Sequence, residues 1–214
     1  MKKLLAVLAI LCLLGCNSMT KVKLVKVEEY PFSQRYIIAV VDFENATGAP
    51  ANNVFIEGVN DSIMTELLSY KRFRIVERKR LAAVLEELDL ELAGMAESEN
   101  AQKIGKLLGA DALLFSALKS VMHEKNKKNA VLAYTEDRRT EIIINAKLVL
   151  VKTGEILVAA EVPAFFKQDR SVAFGFISSE EMKSEESAVE SVMKVAIKQL
   201  ANDIAAGVPP KAGN

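Results

Sequence analysis

Residues 73–92 change period partway along, and that change constrains the fold more than any other feature of the chain. Phe73 and Ile75 alternate with Arg74 and Val76, as in a strand with one face more buried than the other. Further on, Leu81, Val84, Leu85, Leu88 and Leu92 follow helical spacing and make one apolar stripe. A strand therefore runs into a helix within a few residues. The junction carries neither a Gly-rich phosphate loop nor a G-x-S-x-G elbow. A corner with nothing reactive in it is a scaffold rather than an active site.

The same two periods place the other elements. Residues 36–43 are nearly continuous apolar sequence rich in β-branched residues, which predicts a central strand buried on both faces. Residues 44–53 have loop composition; Asn45-Ala46-Thr47 matches a glycosylation sequon, but turn chemistry explains it more simply. A helix is predicted over 54–70, with Ile56, Val59, Ile63, Met64, Leu67 and Leu68 inward. Another follows over 99–108, capped by Ser98, facing Ile104, Leu107 and Leu108 inward and stopped by Gly109. Residues 111–118 read as a strand. So do 141–151, where Ile142, Ile144, Ala146, Leu148 and Leu150 share a face. A tight reversal at 152–155 turns the chain into a partner strand over 156–166. Ser178 and Glu181 offer a capping box. The last helix buries Val189, Val192, Met193, Ala196, Ile197, Leu200 and Ile204, and Gly207 and Pro209 end it.

The predicted order is strand, helix, strand, helix, helix, strand, strand, strand, helix. Early crossovers make parallel pairs and the late hairpin an antiparallel one. The expected class is α/β, a mixed β-sheet packed by helices. Two stretches depart from the pattern. Residues 119–140 are polar and read as a hairpin extension or a long loop. Residues 167–176 form a second insertion in which Val172, Phe174 and Phe176 alternate.

The N-terminus reads as a targeting segment. Lys2 and Lys3 precede an apolar run over 4–14, too short for an ordinary membrane-spanning helix, and Leu13-Leu14-Gly15-Cys16 closes it. This is similar to a bacterial lipobox, which implies an acylated, palmitate-bearing Cys16 as the first mature residue. The alternative is an ordinary signal peptide with an incidental cysteine. Cys12 would leave with the leader, so no disulfide or cysteine metal site is available. The same resemblance implies that Asn17, where inner-membrane lipoproteins commonly carry Asp, suits delivery to the outer membrane. The expected division is a leader over 1–15, a lipidated tether over 16–35, the α/β domain over 36–207 and a tail over 208–214. Within the tether, residues 21–27 read as a short strand or an arm laid on a neighbour, and Pro31 discourages a long regular element.

Candidate chemistry is sparse. The 28 basic and 28 acidic residues balance, which argues against a nucleic-acid footprint. His123, the one histidine, sits in a charged stretch with no Ser, Cys or second His arranged around it. Glu86, Glu87, Asp89 and Glu91 read as the solvated face of a helix rather than calcium ligands. Asp42 and Glu44 suit turn or capping roles. Glu77 and Arg78 could form an ion pair or an intersubunit contact. The expectation is a protein that is no enzyme and needs no metal or cofactor beyond its covalent lipid.

Five segments, in order, carry a resemblance to the CsgG/HfaB family of bacterial outer-membrane lipoproteins. They are the lipobox at Cys16; Ile38-Ala39-Val40-Val41-Asp42-Phe43-Glu44-Asn45 with Thr47-Gly48; Arg72-Phe73-Arg74-Ile75-Val76-Glu77-Arg78 with Leu81 and Leu85; residues 104–113; and residues 148–157. The resemblance implies a lipid-anchored periplasmic domain and ring-shaped homo-oligomers. In channel members each subunit gives two β-hairpins to a shared transmembrane barrel, and they branch where this chain has its two insertions. It also sets Asn53 and Phe55 near the Asn and Phe of a pore-constriction loop, with Ala49 where the family has an aromatic. Phe55 reads equally well as a core residue opening the following helix. The insertions themselves lean against a barrel. Lys125, Lys127, Lys128, Asp137, Arg138 and Arg139 crowd the first, and only residues 130–134 are apolar. A transmembrane strand needs about 9–11 alternating residues.

The function expected from the resemblance is assembly or secretion of surface-fibre or adhesin proteins from the outer membrane, with the folded domain in the periplasm and a channel role open. The alternative is a periplasmic binding module that activates or scaffolds an envelope enzyme such as a peptidoglycan synthase. Expected partners are the membrane, other copies of the chain and envelope or secreted clients, with no nucleic acid.

Overall fold

The computed structural model describes residues 18–88, 98–130, 133–173, 176–177 and 181–211. Its strands are β1 (Ser18–Met19), β2 (Tyr36–Val40), β3 (Glu44–Asn45), β4 (Phe73–Ile75), β5 (Ala112–Ala130), β6 (Ala133–Leu150), β7 (Ile156–Ala173) and β8 (Phe176–Ile177). Its α-helices are α1 (Val59–Ser69), α2 (Arg78–Glu87), α3 (Ser98–Leu108) and α4 (Glu185–Gly207), with 3-10 turns at Phe32–Gln34 and Pro50–Ile56. The strands form one sheet in the order β1-β7-β6-β5-β2-β4, with β3 added on β5 and β8 on β7. The order of the main strands and helices is the one that the hydrophobic periods predict, and the sheet is mixed. β2 pairs parallel with β4 and with β5, whereas β1 and β8 pair antiparallel with β7.

The chain divides into two compact units. The α/β unit comprises Val22–Ser120, Ile143–Val162 and Ala196–Asn214. β2 is an interior strand, between β4 and β5: Ile38, Ala39, Val40 and, just past its end, Val41 are all buried, as expected for parallel strands covered on both faces. One cluster joins Ala39, Val41, Leu113 and Val151 to Leu81 and Val84 of α2 and Ala101, Ile104 and Leu108 of α3, with Leu85 and Leu88 packed at its margin. The stripe that opened the sequence reading is therefore a core stripe; Leu92 lies outside the described residues. Each fully buried Leu or Ile of this kind contributes roughly 1.5–3 kcal/mol. Gly105 lets α3 approach so closely that a Cβ there would collide with the Val151 side chain.

The hairpin unit comprises Met1–Lys21, Val121–Ile142 and Pro163–Val195. Its core is smaller: Ile142, Ala164 and Phe166 from the strands, and Ala188, Val189, Val192 and Met193 from α4, are buried. Gln168, itself buried, accepts the Lys183 N–H through Oε1 (2.7 Å) and so fixes the approach to α4.

Several local expectations are corrected. The helix expected over 54–70 is two elements, because Gly58 takes a left-handed φ of 69° between the 3-10 turn and α1. Leu68 and Leu107 are exposed (49 % and 46 %) rather than inward. Ser98 is the first residue of α3 and not its cap. α4 is capped by Ser184, whose hydroxyl accepts the Ser187 N–H (3.2 Å), and Ser178 lies outside the described residues. The first insertion resolves as a hairpin extension: β5 runs on to Ala130 and β6 begins at Ala133. The second continues β7 to Ala173, which pairs with Phe176 of β8.

Candidate functional site

The long hairpin of β5 and β6 is the feature most open to a partner. β2 covers the edge of β5 at Ala112, Leu113 and Leu114, and β3 covers Ala117 and Leu118. Beyond Leu118 no described strand but β6 pairs with β5. The direction of the ladder follows from two hydrogen bonds: Val41 N–H donates to Leu114 O and Ala46 N–H to Leu118 O, both at 2.9 Å. Even-numbered residues of β5 thus aim their backbone groups away from β6. Continued along the strand, this alternation gives Met122, Glu124, Asn126 and Lys128 outward-facing N–H and C=O groups. An edge of this length is a template for another strand.

The side chains on this hairpin are polar on both faces. One face of β5 carries Val121, His123, Lys125, Lys127 and Asn129; the other carries Met122, Glu124, Asn126 and Lys128. Glu136 of β6 is buried beneath three cations, Arg138 (2.7 Å), Lys125 (3.3 Å) and Lys127 (3.5 Å). The cover is the long side chains of a thin hairpin, not packed core. A hydrogen bond from Arg138, with Lys125 adding to it, holds the Glu136 carboxyl down at about 2. His123 Nδ1 lies 3.0 Å from Thr140 Oγ1, beside a shallow cleft that Arg138, Arg139, Gln168 and Lys183 also line. The Thr140 hydroxyl is the partner that the structure gives this imidazole. No cluster of three or more His, Cys, Asp or Glu arranged for a metal occurs among the described residues.

The loop after β2 is self-bonded. Asn45 Nδ2 donates to Asn53 Oδ1 (2.7 Å) and Ala49 O (2.9 Å), and Asn52 Nδ2 donates to Thr47 Oγ1 (2.9 Å). Thr47 Oγ1 lies 2.6 Å from Asn45 Oδ1, so the sequon residues are engaged in the turn. Asn53 is exposed within the 3-10 turn and Phe55 is half-buried. At the exit of β2, Asp42 accepts from Arg78 (2.9 Å) and from Asn60 Nδ2 (2.9 Å), while Asn60 Oδ1 takes the Phe43 N–H. Arg78 therefore pairs with Asp42 rather than with Glu77.

Residues 22–30 lie on the C-terminal part of α4. Asn202, fully buried, takes the Val25 N–H (2.8 Å) and donates to Val25 O (2.9 Å); Gln199 takes the Lys23 N–H. Arg72 completes the fastening. Its guanidinium donates to Glu28 O, Ala205 O and Val208 O and stacks 4.1 Å from the Tyr30 ring. Sequence reasoning missed this role, since an Arg before a strand looks solvated. Earlier in the chain, β1 pairs with β7 at Ser18↔Lys167 and Met19↔Phe166. Cys16 lies outside the described residues.

Solved structures that this chain matches include the LpoB C-terminal domain from Salmonella enterica, at 19 % identity over 60 % of this chain and 81 % of that one, with a TM-score of 0.42. Lipoprotein GNA1162 from Neisseria meningitidis matches at 17 % identity over 64 % and 83 %, with a TM-score of 0.43. The hypothetical protein CT253 from Chlamydia trachomatis matches at 10 % identity over 80 % and 96 %, with a TM-score of 0.46. A search of curated protein sequences gave no match. The family described as curli production assembly/transport component CsgG matches residues 20–211, nearly the whole chain. The chain belongs to the CsgG family.

Proposed function

We propose that this chain is a lipid-anchored assembly component of the bacterial outer membrane that works in the periplasm by self-association and by contact with exported clients, not by catalysis. Family membership supports an assembly or transport role. The observation that carries the self-association is the open edge of β5 beyond Leu118, with polar side chains on both faces. Its strands are long enough to cross a bilayer, but lipid-facing Lys or Arg at mid-depth costs about 2–4 kcal/mol each. Copies therefore join edge to edge in water, and the family resemblance makes Asn53 and Phe55 the candidates for a pore-constriction loop if a channel forms.

The test is the mass of the full lipidated protein in detergent. A multiple of the monomer is expected. Met122→Pro with Asn126→Pro removes two outward N–H donors without touching the β6 ladder, and should leave monomers of unchanged helix and strand content. Oligomers that survive both substitutions would move the interface elsewhere. Monomers of the unsubstituted chain would favour the second reading, a periplasmic binding module for an envelope enzyme, which the lack of an apolar hairpin face also suits. Cys16→Ala should release the chain into the soluble fraction.

A further inference from the structure

We infer that the outer edge of β7 in the hairpin unit lies against the membrane surface, with Lys21, Lys167 and Arg170 contacting lipid phosphates; this rests on the reading that Cys16 carries the lipid. A free tether of residues 16–35 would behave as a coil and let the domain drift about 25 Å from its anchor. The fold does not leave it free. β1 is held antiparallel on β7, Thr20 N–H donates to Phe165 O (2.9 Å), and Phe165 N–H donates to Thr20 Oγ1 (2.7 Å). Only Asn17 separates Cys16 from Ser18. Two residues of extended chain reach at most about 7 Å. Ser18 itself pairs with Lys167, so the anchor is within that reach of this edge. An acyl group at Cys16 thus brings the bilayer to this edge.

The chemistry of the edge suits a headgroup layer. Lys21 is exposed, Arg170 is partly exposed, and Lys167, paired with Asp169 at 2.9 Å, keeps its side chain 40 % exposed. Just beyond, Val172 and Ala173 pair with Ile177 and Phe176, so the strand ends in apolar sequence. Cations spread along a strand edge match the phosphate layer that a protein meets at a bilayer surface.

Two arms test this. In the first, the full lipidated chain with Ser171→Cys, its sole free thiol once the leader is removed, carries a fluorophore and is placed in phosphatidylethanolamine–phosphatidylglycerol vesicles bearing a headgroup nitroxide. Quenching by half or more is expected. Ten Gly/Ser residues inserted between Asn17 and Ser18 should at least halve that quenching while the protein still floats with the vesicles. Absence of quenching in floating protein overturns the inference. In the second arm, the unlipidated Cys16→Ser chain is titrated with vesicles containing phosphatidylglycerol. Lys21→Glu with Arg170→Glu should lower the partition about fivefold or more; unchanged partition overturns the phosphate contact. Failure of the lipidated chain to float, with the charge-dependent partition intact, would remove the anchor and leave the surface.

Discussion

β6 passes through both units, and its two parts are held in different ways. Within the α/β unit, Ile144, Ala146 and Leu148 alternate into the core and are almost completely buried. Within the hairpin unit the corresponding positions are Glu136, Arg138 and Thr140, and what covers Glu136 is a set of cationic side chains. The first part is stabilised by removing apolar surface from water, the second by its backbone ladder and by ion pairs. One strand can thus serve as core in one place and as an adaptable surface in another.

That contrast can be broken by substitution. The largest effect is expected from Ile144→Ala, which leaves a cavity in the α/β unit and should cost roughly 3 kcal/mol by urea unfolding of the unlipidated Cys16→Ser chain. Asn129→Ala, at an exposed position of the hairpin, should change stability by less than about 0.5 kcal/mol. Equal costs would erase the distinction. Gly105→Ala comes next. Its Cβ would meet Val151, so about 1–3 kcal/mol should be lost, and Val151→Ala on that background should return part of it. No return would mean that backbone freedom, not close approach, is what Gly105 supplies.

A smaller loss than at Ile144 or Gly105 belongs to Glu136. Its folded carboxyl titrates at about 2, below the roughly 4.3 of an unfolded chain. Its contribution is therefore complete above about pH 4.5 and disappears as the pH falls through 2. Lys125 and Lys127 are half exposed, so the gain is about 1 kcal/mol at most. Glu136→Gln should lower the thermal midpoint at pH 7 and do so much less at pH 2. An equal loss at both values would assign Glu136 a packing role instead.

The sequence reveals elements whose burial is periodic. The stripes of α2 and α4 and the alternation from Ile142 to Leu148 were readable because one face of each is dry. The outer parts of β5 and β6 were not, because a strand wet on both faces has no hydrophobic period; the polar run after Leu118 suits a loop equally well. Gly58 was hidden by apolar neighbours that continue a helical spacing across it. Leu68 and Leu107 keep helical spacing without being covered. At the site, Arg72 could not be found from its neighbours, since its carbonyl acceptors include Ala205 and Val208 at the far end of the chain. The turn chemistry of Asn45 and Thr47 was visible; the bond from Asn45 to Asn53 depended on how the loop closes.

The fastening of residues 22–30 has a mechanical consequence. Tension applied from the front of the chain meets the pairing of β1 with β7 first, and past it the contacts of Lys23, Val25, Glu28 and Tyr30, spread along α4. Several of these bonds must slide together before the helix feels the load, whereas a strap attached at one point would peel. A pull on this segment is therefore shared among several side chains rather than borne by one.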